Sequence, residues 1–195
     1  MSETGKHMLQ IAAVCSFVAP VILLASDVLH IIGAIDFAWT IGLYWAMVLF
    51  VPAVIGLTYV VASAGSRLAL IAGALALIGV IAGAGMQALF RVHAVLTEQG
   101  DLATVEKLRN SFKLVAATQM IGLPWPLGLI LLSIAILMVD RSRWVLSLLL
   151  ALAGILFPIG RIAFVDAAIL GSGVFLIAAF WLAGKWMLAR AGSYE

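Results

Sequence analysis

Residues 67–101 read RLALIAGALALIGVIAGAGMQALFRVHAVLTEQGD, and their reading decides the fold. No proline falls between Arg67 and Gln99, so one helix can run through the whole stretch. Roughly 33 residues at 1.5 Å rise make about 50 Å of helix, well beyond the ~30 Å hydrocarbon core of a bilayer. Gly100 offers the left-handed position that ends helices, and Asp101 is a good N-cap for a second helix from Leu102. That second arm is expected to run on to about Leu137. The stretch therefore predicts a long helical hairpin whose arms cross a membrane and project from one face of it.

The rest of the chain agrees. It has 195 residues, 65% of them hydrophobic and 10% charged, with a mean hydropathy of +1.22. A soluble domain carries about 25% charged residues and could not bury this much apolar surface. The expectation is an all-α polytopic protein of the cell membrane, one integral membrane domain over residues 1–195. Six spans can be laid out at about 8–32, 38–62, 67–90, 114–139, 144–159 and 162–188, with an extramembrane hairpin at about 91–113. Its partner is then the lipid bilayer. The N-terminal MSETGKH lacks the features of a secretory signal, so the first apolar run is read as a spanning helix. A net charge of +2 with no long basic run gives no reason to expect nucleic acid. One cysteine, Cys15, excludes an intrachain disulfide and a paired-cysteine metal site.

Working outward from the hairpin, Gly79-x-x-x-Gly83 allows close helix approach. Leu102, Val105, Leu108, Phe112 and Val115 share one face beyond the turn. Pro20 and Pro52 are expected to bend the first two spans, and Pro124-Trp125-Pro126 to kink the fourth. Phe157 to Arg161 is expected to turn the chain between the last two spans. Ile32-Gly33-x-Ile35-x-Phe37 echoes Ile159-Gly160-x-Ile162-x-Phe164, as a duplicated hairpin turn would, although so short an apolar match also arises by chance. Six spans put both termini on one side. The short loops there carry Arg67, Arg141 and Arg143 against Arg161 alone on the other, which places both termini in the cytoplasm.

Ionisable groups near spans are costly and functional by default. Asp27, His30 and Asp36 lie at the end of span one or just after it, Gln87, Arg91 and His93 end span three, and Arg161 and Asp166 begin span six. All fall at the outer end. Asp27, His30, Arg91, His93, Arg161 and Asp166 are therefore expected to converge on one polar site, with Asp27 paired to Arg91 or Arg161. Trp39, Tyr44 and Trp125 would supply aromatic walls.

Three functions fit this pattern. In the first, proline-broken helices enclose an outward-opening cavity that binds or transports a small polar solute, anionic or zwitterionic. In the second, His30 and His93 are axial ligands of haem b in a membrane cytochrome, with Arg91 near a propionate. In the third, the ionisable residues only order the bundle, and the chain is an accessory subunit of a homo-oligomer or a larger membrane complex. An enzyme is the least supported reading, since no Walker A, HExxH or GxSxG motif is present. The size, six-span layout and polar outer end resemble the substrate-binding membrane subunits of vitamin importers. The resemblance is one of layout, without a shared motif, and no residue carries over.

Overall fold

The computed structural model describes residues 3–33, 36–111, 123–163 and 165–193. Among them every regular element is helical: α1 (Glu3–Ile31), α2 (Asp36–Ser63), α3 (Arg67–Glu98), α4 (Leu102–Arg109), α5 (Pro124–Val139), α6 (Trp144–Ala163) and α7 (Asp166–Gly192), with a 3-10 turn at Arg141–Arg143 before α6. Helices suit so apolar a chain because they satisfy their own backbone groups where no water can. α1, α2, α3, α6 and α7 are each long and apolar enough to cross a membrane. α5 is apolar but has only 16 residues. The expected start of its span at Leu114, and the face completed by Phe112 and Val115, lie outside the described residues.

Turn chemistry explains most element ends. Gly33, Gly65 and Gly100 sit at φ +66°, +108° and +77°, a region that only glycine enters without strain. Ser66 caps α3 by accepting from the Ala69 N–H at 3.4 Å. Asp101 caps α4 by accepting from Thr104 N–H at 3.1 Å, and these Thr104 hydrogen bonds hold its carboxyl below the usual range.

Three local expectations need correction, and a fourth is only partly described. The second arm is not one helix to Leu137, because α4 ends at Arg109, Asn110 turns and Ser111 is non-helical. Pro124 and Pro126 stand in the first turn of α5, where no N–H is needed, and the residues before Leu123, on which the expected kink depends, lie outside the described residues. Pro20 and Pro52 lie inside the continuous helices α1 and α2 and do not break them. Phe157 to Arg161 is helical, since α6 continues through Pro158 to Ala163. The last point also removes the internal echo. Gly33 is a left-handed turn, whereas Gly160 is helical and buried against the Ala168–Ile169 backbone.

The helices close into a ring. α1 packs on α2, α2 on α3, α3 on α5, α5 on α6, α6 on α7, and α7 returns to α1; α2 also leans inward to touch α5 and α7. Three aromatic side chains fill the middle: Phe50 lies 5.1 Å from Trp125 and 5.0 Å from Phe180, centroid to centroid. The glycine pair in α3 is split between two neighbours. A Cβ at Gly79 would strike the Trp125 backbone of α5, while Gly83 faces Met47 of α2. Gly128 of α5 answers Gly79, since its missing Cβ lets the Ala76 backbone approach.

Candidate functional site

Neighbouring helices in the ring run antiparallel, so the C-terminal ends of α1, α3 and α6 share one end of the bundle with the N-terminal ends of α2 and α7, while α5 starts deeper, where Trp125 meets Gly79 of α3. At this end Arg161 Nη2 donates to Asp27 Oδ1 at 2.6 Å. The expected pairing of Asp27 is thus met, with Arg161 as the base. The Asp27 side chain is 3% exposed and that of Arg161 24%. No backbone contact joins α1 to α6 in the described residues; α7 packs on both, and the long guanidinium stem crosses the gap. Two local choices allow this. Because α6 does not stop at Pro158, Phe157 and Arg161 fall at i,i+4, and the guanidinium carbon sits 4.9 Å from the Phe157 ring centroid. On the other side, Ser26 turns its hydroxyl back to the Ile22 carbonyl at 2.7 Å, and Gly42 of α2 leaves room for it.

The pair uses only part of its hydrogen-bonding capacity. Asp27 Oδ2 and Arg161 Nε are both buried without a hydrogen-bond partner among the described residues. Beneath them Phe157 meets Trp125 edge-on at 6.4 Å, and Trp125, 2% exposed, leaves its indole Nε1 donor unused. Gln87 of α3 is also buried with Oε1 unpartnered. Buried polar atoms are normally satisfied, and an orphan costs about 1–3 kcal/mol. Thr58 Oγ1 and Arg143 Nε lack a hydrogen-bond partner as well, away from this pair, although Arg143 Nε is ion-paired with Asp140. The Asp27–Arg161 ion pair is neutral overall and leaves one buried acceptor and one buried donor unused among the described residues.

The other expected site residues divide. His30, one turn beyond Asp27, is exposed and stacks on Trp39 of α2 at 4.4 Å and 44°. Asp166 faces outward in the first turn of α7, where its charge complements the helix dipole, apart from the Asp27–Arg161 contact. Arg91 and His93 are half-buried on the last turns of α3. That helix packs on α2, α4 and α5 and touches neither α1 nor α6. Of the six residues expected to converge, the described residues place Asp27 and Arg161 in direct contact, with His30 and Trp39 at the same end and Arg91 and His93 on a helix that packs on neither α1 nor α6. Tyr44 is exposed beside Trp45 and walls nothing, and Trp125 is a core residue. The approach of His93 to His30 was to come from the α3 glycines, but these seat α3 on α5 and α2, with α2 standing between α1 and α3. Among the described residues no three His, Cys, Asp or Glu side chains gather around a metal position. Phe157 is the site residue that sequence reasoning missed. Its signal was the i,i+4 spacing to Arg161, hidden by reading Pro158 as a helix end. Comparison of the chain with family models, with curated proteins and with solved structures returns no match.

Proposed function

We propose that the chain is a small integral membrane module that binds, and carries or presents, a small polar solute at the Asp27–Arg161 end of its bundle. In this reading the chain crosses the cell membrane six times, with α5 as the described part of the fourth pass. Both termini face the cytoplasm, and the α3–α4 turn projects on the outer side. The observation that carries the proposal is the buried, partly unsatisfied ion pair above an aromatic floor. A structural salt bridge gains most when all its valences are used, and this one leaves an acceptor and a donor open. Its overall neutrality favours a zwitterion over a simple anion, with a cationic head on Asp27 Oδ2 and an anionic one on Arg161.

The test is a thermal-unfolding screen of the purified full chain in detergent against small zwitterions, carboxylates and alkylammonium ions. A ligand at about a hundred times its Kd adds about 2.7 kcal/mol of stability and raises the midpoint by several degrees. Zwitterions should do this for the native chain and not for Asp27→Asn or Arg161→Gln. A silent panel, or variants that respond as strongly as the native chain, would sink the proposal and leave the accessory-subunit reading in its place.

A further inference from the structure

α7 carries a second feature, on its outward face and away from the ion pair. Val174, Ala178, Trp181 and Lys185 follow one another at i, i+4, i+7 and i+11, so they form one stripe along the helix. Val174 and Trp181 are about half exposed, at 53% and 48%. With Ile177, Ala178 and Leu182 they line an apolar recess of about 400 Å³. The small side chain of Ala178 makes the hollow. Trp181 is fixed as one wall by Phe17 of α1, 4.8 Å away centroid to centroid. Lys185 stands one turn beyond Trp181, with Nζ 5.8 Å from the Trp181 ring centre.

We infer that this recess holds one acyl chain of an anionic phospholipid, whose phosphate rests on Lys185. This depends on the membrane embedding proposed above but not on the solute site. Length is the first argument. Eleven residues at 1.5 Å rise is about 16 Å, close to half of the ~30 Å hydrocarbon core, so the stripe matches one leaflet from midplane to headgroup. The residue order is the second, since an aromatic and then a lysine at the outer end is how side chains meet the headgroup level. Charge is the third. The end of the bundle to which Lys185 belongs also carries Lys6, Arg67, Arg141, Arg143 and Arg190, against Glu3 and Asp140 among the described residues. Asp140 is already committed to Arg143 at 3.0 Å. At the opposite end acidic residues outnumber basic ones. A second copy of the chain is the poorer occupant, because a two-fold interface along this stripe would set Lys185 against Lys185.

Native mass spectrometry of the full chain, titrated with phosphatidylglycerol or phosphatidylcholine, tests the inference. One phosphatidylglycerol should be retained more tightly than phosphatidylcholine, and Lys185→Gln should weaken it about fivefold, the effect of one basic group at an anionic surface. Arg67→Gln, at the same end but on α3, should leave that site unchanged. Ala178→Trp, which fills the recess from the outward face, should displace both lipids while the unfolding midpoint stays within a few degrees of the native value. Equal retention of the two lipids by the native chain would overturn the inference, as would equal losses in the Lys185 and Arg67 variants or undiminished binding by Ala178→Trp. A protein dimer that excludes phosphatidylglycerol would overturn it too and give the face to a second copy.

Discussion

Asp27 is the residue whose environment the sequence foretold best and whose partner it could not choose. A carboxylate near the end of an apolar helix needs a base, and two arginines lay at the same depth. What decides for Arg161 is the continuation of α6 through Pro158, which brings Arg161 over Phe157 and within 2.6 Å of Asp27. Hydropathy and spacing do not report whether a proline ends a helix or is carried within it. The pair's role in stability can be separated from its role in binding. Asp27→Ala leaves a partly buried guanidinium uncompensated and should lower stability by about 3 kcal/mol. The double change Asp27→Leu/Arg161→Met removes both charges and should recover most of that loss, while abolishing any response to a zwitterion. Unfolding midpoints of the three proteins check this. A double variant no more stable than Asp27→Ala would mean that the pair itself is required for assembly.

At the scale of elements, helix positions were legible because lipid-length apolar runs leave few alternatives, and the ends at Gly33, Gly65 and Gly100 follow from left-handed backbone that glycine alone adopts freely. The contacts between elements were not legible. Gly79 and Gly83 looked like one interface and serve two, since α3 is wedged between α5 and α2. The α3–α5 seam is an exacting contact, close from both sides. Gly79 approaches the Trp125 backbone, and Gly128 the Ala76 backbone, so the neighbour cannot move aside as a flexible side chain would. Gly79→Val or Gly128→Val should therefore separate the two helices and cost about 2 kcal/mol or more. Gly85, in the same α3 helix with nothing within 4 Å of its missing Cβ, is the control. Gly85→Ala should leave stability unchanged or raise it slightly, because alanine is the better helix former. Thermal denaturation of the purified variants measures both.

For the whole molecule, alternation along an antiparallel ring predicts that the α3–α4 turn and the Asp140–Arg143 turn lie at opposite ends. A cysteine at Gln99 should react with an impermeant thiol reagent in intact cells, and one at Ser142 should react only after lysis. The native Cys15 is buried and should contribute little background. The reverse pattern would invert the proposed orientation without disturbing the helices. Ring order itself could not be read from composition, since every helix is apolar on several faces and only side-chain shape selects neighbours. That order has a consequence for biogenesis. The ion pair joins residues 134 positions apart, in the first and sixth helices. At roughly 5–20 residues per second, translation takes on the order of 10 s to deliver Arg161 after Asp27 has emerged. Through that interval α1 must wait with its acid unmatched, held shallow at the water boundary or sheltered by the insertion machinery. Seating it at its final depth is then a late event that also marks the bundle as complete.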